Sequence, residues 1–246
     1  MEFQWINEST VTERDDVISI FAPEHTDFFC NSGAEAEEGD AVPDSLCNAP
    51  FYYTEVEGDF VLRVKVSHDF KQTYDSCSIM VFKDLTHWAK ACFELTDFGT
   101  RAMVSVVTKG VSDDANGPNV DADAVWLQMC RKGDAFAFHY ALDGEHFYMM
   151  RFFTLDAGKV AKVGLLAQAP TGKGGERRYE HLSIEHRTVA NIRMGGVISV
   201  LGNRDTAACC EDGVPRGSFP CGTPSRCYSR EVSVMLRGYH ELFTMA

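Results

Sequence analysis

The sequence predicts an all-β protein, a sandwich of two antiparallel sheets followed by a C-terminal appendage of little regular structure. Runs of roughly seven residues in which apolar and polar side chains alternate recur from the N-terminus to about residue 187, the pattern of half-buried strands. Gly58-Asp59, Gly133-Asp134 and Asp143-Gly144 separate such runs, and these dipeptides favour tight hairpin turns. The connections are too short for parallel crossovers, and no long helical period precedes residue 190.

The elements follow in order. Phe3-Gln4-Trp5-Ile6 and Val17-Ile18-Ser19-Ile20-Phe21 are short strand candidates, and the first region ends at Thr26-Asp27-Phe28-Phe29. Cys30–Asn48 is rich in Glu, Ala, Gly and Asp without an apolar period and reads as a mobile acidic loop. Phe51-Tyr52-Tyr53-Thr54 and Phe60–Val66 are strands. In the second, Phe60, Leu62, Val64 and Val66 face a core while Arg63 and Lys65 face water. Tyr74–Thr108 reads as three consecutive strands, and Lys109–Asp123 as a polar loop. Val125–Arg131, Ala135–Ala141 and Phe147–Phe153 make two hairpins, and Lys159–Ala169 and Arg178–Arg187 are the last strands.

Length and charge bound the rest. A chain of 246 residues, 45% hydrophobic, can bury one sizeable core. Its formal charge of −13, from 36 acidic and 23 basic residues, opposes nucleic acid and anionic membrane as partners. No apolar run approaches the roughly 20 residues of a membrane span, and the start, Met1-Glu2-Phe3-Gln4-Trp5, lacks the features of a secretion signal. These features place the protein in the cytoplasm, with its nine cysteines as reduced thiols. Composition changes after Gly195-Gly196, where Gly, Pro, Ser and Cys crowd the chain. The expected division is a sandwich over 1–196 and a partly disordered extension over 197–246.

The middle strand of the Tyr74–Thr108 stretch draws attention to function. Alternation puts Trp88, Lys90, Cys92 and Glu94 on one face, so an aromatic, an amine and a carboxylate share one surface. With Asp75, Arg131, Tyr140 and Asp143 on neighbouring predicted strands, they form a set suited to stacking on and hydrogen-bonding a sugar. The bland reading is a surface ion pair, a hairpin residue and ordinary packing.

Specific motifs accompany these features in a fixed order: Glu55-Val-Glu-Gly-Asp-Phe60, Tyr74-Asp75 with Ile79-Met80-Val81, Trp88-Ala-Lys90 with Glu94, Ser105–Thr108, Trp126-Leu127 with Arg131–Asp134, Leu142-Asp143-Gly144, Met150-Arg151, Val163–Leu166 and Ala169–Lys173. This order resembles the family of domains of unknown function with a concanavalin-A-like lectin/glucanase fold that includes the regulation-of-enolase protein. The resemblance covers about residues 1–196. It implies a jelly-roll with one concave sheet and a sugar-sized groove, and it implies no reaction. The sequence departs from the family pattern at Ser76 and Ser78, where Gln and Gly are usual, and at Asp114, where an aromatic is usual.

Spacing bounds the chemistry. Glycoside hydrolysis needs two carboxylates about 5 to 10 Å apart. Glu94 has no acidic residue two or four positions away, which leaves a cross-strand pair of Glu94 with Asp75 as the enzyme alternative. The oxygen-rich run Asp113–Asp123 lacks EF-hand spacing, and the tail cysteines Cys209, Cys210, Cys221 and Cys227 lack zinc-knuckle spacing. The expectation is therefore no catalytic residue, no metal and no cofactor. What remains is a carbohydrate-binding-like or metabolic regulatory module for a carbohydrate or small polar metabolite, with a metabolic-enzyme partner as the further alternative.

Overall fold

The computed structural model describes residues 1–31 and 46–195. Most of the expected acidic loop and all of the expected C-terminal extension, with its cysteines, lie outside the described residues, which belong to one compact unit, Met1–Ser199.

The strands are β1 (Gln4–Ile6), β2 (Val11–Arg14), β3 (Val17–Ala22), β4 (Phe28–Phe29), β5 (Leu46–Cys47), β6 (Phe51–Glu57), β7 (Phe60–His68) and β8 (Ser76–Asp84). They continue as β9 (His87–Leu95), β10 (Arg101–Lys109), β11 (Val111–Asn119), β12 (Ala124–Lys132), β13 (Ala135–Ala141), β14 (Tyr148–Thr154), β15 (Val160–Gln168) and β16 (Gly175–Glu185). The first large sheet has the order β1-β6-β15-β8-β9-β10-β11 and the second β14-β13-β12-β7-β16-β3-β2, with every pairing antiparallel. This is the predicted jelly-roll sandwich, and among the described residues the one helical element is a 3₁₀ turn, Ile192–Met194.

The core lies between the sheets. Cys77, Ile79, Val81, Ala89, Ala91 and Phe93 of the first sheet meet Leu62, Val64, Val66, Leu127, Met129 and Phe138 of the second, all essentially inaccessible to water. Both strand sets alternate, so each sheet keeps a second, outward face. The outward face of the second sheet holds Gln128, whose amide donates to Gly195 O at 2.9 Å and whose Oε1 accepts from Arg63 Nε at 2.6 Å. His139 Nε2 lies 3.2 Å from Arg193 O, so the 3₁₀ turn is pinned across β12 and β13. Gly195 ends that turn at φ 65°, left-handed backbone that suits glycine.

Two features correct the sequence reading. Lys109–Asp123 is not a loop: Val111–Asn119 pairs with β10 as the edge strand β11, where one exposed side permits the polar run Ser112-Asp113-Asp114. Val11–Arg14, too polar to register as a strand, is likewise an edge strand against β3. Among the described residues no helix is long and apolar enough to cross a membrane.

Candidate functional site

The outward face of the first sheet is set by register. Opposite Trp88 stand Phe82 and Thr108; opposite Lys90, Met80 and Val106; opposite Cys92, Ser78 and Val104; opposite Glu94, Ser76 and Ala102. Pairing on the far sides adds Asp114 beside Val106, and Leu166 and Gln168 beside Ser78 and Ser76. Trp88, Lys90 and Glu94 therefore do share one face, as alternation predicts. One end of it is aromatic and the other polar.

The aromatic end is not the open platform expected from sequence. Residues 26–29 and 46–49 fold over it, with β4 paired to β5 and Thr26 bridged to Ala169. Phe28 is fully buried, edge-on to Trp88 at 5.5 Å and to Phe82 at 6.1 Å. Trp88 is 0% exposed and donates its indole N–H to Leu85 O at 3.2 Å. Both its face and its polar edge are already engaged, so it is a small-core residue rather than a sugar-stacking surface.

Lys90 holds this cover down. It is 3% exposed, and its Nζ donates to Asp27 Oδ1 at 2.9 Å and to Gln168 Oε1 at 3.0 Å. Asp27 Oδ1 also accepts from Phe28 N at 2.7 Å, and the Asp27 carbonyl accepts from Asn48 N and Ala49 N. Burial pulls the Lys90 ammonium down, but its negative neighbours, Asp27 foremost, outweigh this and hold it above its usual value.

Glu94 is different. Its side chain is buried, at 6% exposure, and no protein group hydrogen-bonds its carboxyl, whose oxygens still reach the surface. Burial pushes it well above the usual carboxylate range; Lys90 opposes the shift, and Asp114, Asp27 and Asp97 add to it. Asp114 stands exposed on β11, yet its carboxyl is also raised because protein crowds its inner side, Lys90 again opposing. The Tyr74 hydroxyl is raised by burial and by Asp97, Glu94 and Asp114. Ser76 and Ser78 hydroxyls, 3.1 Å apart, complete this polar end.

The other four expected site residues lie elsewhere. Asp75 precedes Ser76, the residue opposite Glu94, so its side chain points between the sheets, where Oδ1 lies 3.3 Å from Arg177 Nη2. Glu94 and Asp75 thus occupy opposite faces and do not form the pair that hydrolysis was expected to use. Arg131 is buried in the second sheet, donating to Gly133 O at 2.9 Å and to Gly158 O. Tyr140 stands on β13 against Tyr148, with ring centroids 5.8 Å apart. Asp143 caps its hairpin, accepting from His146 N at 2.8 Å and Glu145 N at 2.9 Å. β12 pairs with β7 and β13, not with β11, so none of these three reaches the Lys90–Glu94 surface.

The model of the family described as "Protein of unknown function (DUF1349)" matches residues 5–187. The chain belongs to this family. A protein described as functionally unknown from Saccharomyces cerevisiae has a similar structure, with a TM-score of 0.66 and 23% identity over 74% of this chain and 95% of that one. A GH43 protein from Bacillus licheniformis is similar with a TM-score of 0.58 at 12% identity, over 74% of this chain but 36% of that chain. A xylan β-1,4-xylosidase from Bacillus halodurans gives 0.55 at 8% identity, over 74% and 39%. At these identities the likeness is one of fold, and this DUF1349 chain spans little more than a third of either of those two Bacillus proteins. No curated protein matches it.

Sequence reasoning missed Asp27, Gln168 and Tyr74 in this DUF1349 site. Asp27 lies 63 residues and Gln168 78 residues from Lys90 along the chain, and no local pattern announces such contacts. Asp114 had a signal, its departure from the family's usual aromatic.

Proposed function

We propose that this chain is a non-catalytic binding module that takes a small hydroxylated ligand of carbohydrate type at the polar end of the first sheet's outward face. One observation carries the reading: Glu94, only 6% exposed, presents at this end a carboxyl whose oxygens reach the surface and that no protein group hydrogen-bonds. Burial makes this carboxyl hold its proton more tightly than usual, and in the protonated form it both donates and accepts, which matches a sugar hydroxyl. The half-buried Tyr74 supplies a further hydroxyl, while Ser76 and Ser78 are fully buried against each other and Lys90 is already committed to Asp27 and Gln168. The non-catalytic part of the reading is supported by the placement of Asp75 on the opposite face.

Its extension to a cytoplasmic regulatory role with a metabolic-enzyme partner rests on the motif resemblance to the regulation-of-enolase group alone. Calorimetry and thermal unfolding with a panel of mono- and oligosaccharides test the binding reading. A ligand at 100 times its Kd adds about 2.7 kcal/mol of stability, and Glu94→Ala should cancel that gain. A gain that survives Glu94→Ala, or none with any sugar, would overturn the site. Cleavage of an aryl glycoside that Glu94→Gln abolishes would overturn the non-catalytic reading.

A further inference from the structure

Backbone strain singles out one residue at the polar end. Six non-glycine residues among those described have positive φ, and four of them, Asn7, Asp15, His25 and His181, are of types that tolerate the left-handed region. The other two are bulky aromatics on one loop, Phe70 at φ 48° and Tyr74 at φ 68°. Packing explains Phe70, whose ring centroid lies 3.9 Å from that of His68, 4.7 Å from that of Phe93 and 4.6 Å from the Arg101 guanidinium. Nothing comparable holds the Tyr74 side chain. It is half-buried, and among the described residues its ring meets no other ring or cation and its hydroxyl makes no hydrogen bond.

The backbone around Tyr74 is nonetheless tightly fixed. Tyr74 N donates to Leu95 O at 2.7 Å and Leu95 N to Asp75 O at 3.1 Å, which sets Tyr74 two residues before Ser76 and diagonally across from Glu94. The turn before it is closed by Asp75 N to Gln72 O at 3.0 Å, by Gln72 N to Asp75 Oδ2 at 3.2 Å and by Thr171 Oγ1 to Thr73 O at 2.6 Å. Asp75 is itself buried against Arg177, with Oδ1 3.3 Å from Nη2. Strained backbone persists only where its surroundings over-determine it, and such strain gathers at ligand sites.

We propose that Tyr74 is the aromatic platform of this site, touching the ligand through its ring, and that the ligand is a closed pyranose with an apolar C–H face rather than an open-chain polyol. The proposal rests on the binding reading above and names its ligand class and the residue that selects it. Tyr74 gives the site the stacking surface that Trp88, sealed against Phe28, does not offer. Burial raises the Tyr74 hydroxyl, and Asp97, Glu94 and Asp114 add to the shift, in keeping with a ring directed to the polar end. The turn between β9 and β10 leaves Phe98 78% exposed, a second open aromatic at the same end of the sheet.

Methyl glucoside, xyloside and galactoside, set against sorbitol, xylitol and galactitol, share hydroxyl configuration and differ in ring closure. Titration calorimetry with the full-length protein compares them. The expected result is at least one glycoside bound more tightly than its alditol by about fivefold or more. Tyr74→Phe keeps the ring and should hold that affinity within about twofold. Tyr74→Asn suits a left-handed backbone, so it should leave Tm no lower while weakening the glycoside by about fivefold or more. An alditol as tight as its glycoside, unchanged affinity in Tyr74→Asn, or a Tyr74→Phe loss as large as that of Tyr74→Asn would overturn the platform and leave the binding reading standing. A lower Tm in Tyr74→Asn would assign the strain to the fold and overturn it too. No binding of any of the six would overturn the platform, and no binding of the oligosaccharide panel as well would overturn both.

Discussion

Replacing Lys90 by Met tests whether the buried ion pair fastens the covering segment to the sheet. Met keeps most of the methylene stem beside Trp88, whose ring centroid lies 6.0 Å from Nζ, and removes the charge. The loss leaves the Asp27 carboxylate, 9% exposed, without its cation, and Gln168 Oε1 without its donor. Breaking a buried pair from one side typically costs about 3–5 kcal/mol. At about 2–4 °C per kcal/mol for a domain of this size, Tm should fall by about 6–20 °C. Asp27→Asn should cost less, because the amide oxygen can still accept from Lys90 and from Phe28 N. The double variant should cost less than the sum of the two, by about 0.5–3 kcal/mol. Urea unfolding followed by tryptophan fluorescence measures all three, and Trp88 lies under the segment concerned. A Lys90→Met loss below about 1 kcal/mol, the level of a surface pair, or strict additivity in the double variant would refute the argument.

Two other outcomes follow from the geometry. Burial pulls His139 down to about 4, so between that value and its ordinary 6.5 the unfolded chain binds more protons than the folded one. Its contribution is therefore complete above about pH 6.5 and is lost as pH falls toward 4, at up to about 1.4 kcal/mol per pH unit. Denaturant unfolding at pH 7, 6 and 5 should show the gap between the protein and His139→Gln shrinking by that amount, and a gap constant with pH would contradict it. Separately, the Cys30 and Cys47 sulfurs stand 3.7 Å apart at the paired strands β4 and β5. Hydrogen peroxide should join them, each thiol giving up its hydrogen to form water, while the buried Cys77, Cys92 and Cys130 stay reduced. Non-reducing peptide mapping reads the link, and its absence, or a link through Cys92, would count against the geometry.

Much of the sandwich was legible because a half-buried strand writes its two faces into alternate residues. β9 is the clearest case: the residues predicted to share a face do so. Burial depth was not legible. Trp88 and Lys90 read as exposed because nothing near them in the chain indicates that residues 26–29 and 46–49 fold across their face. Arg131, Tyr140 and Asp143 fall beside Glu94 in the sequence pattern because their strands follow soon after β10 in the chain. Sheet order breaks that adjacency, since after β11 the chain crosses to the other layer. β11 itself was lost to its polarity, because an edge strand with one wet side lacks the apolar half of the alternation.

The three side chains on β9 illustrate how one strand face divides its labour. Trp88 closes against Phe28, Lys90 ties down Asp27, and Glu94, a further four residues along past Cys92, lies beyond the cover with no hydrogen bond from the protein. Along the strand Lys90 stands about 6.6 Å from Trp88 and about 13 Å from Glu94, so Glu94 feels Lys90 without reaching it. The same ammonium that fastens the cover therefore also sets how readily Glu94 ionises. Because Asp27 and Gln168 hold that ammonium in place, how readily Glu94 ionises depends on the cover being seated. Seating of the covering segment and the ionisation of Glu94 are thus linked through a single lysine, with no need for any movement of the sheet itself.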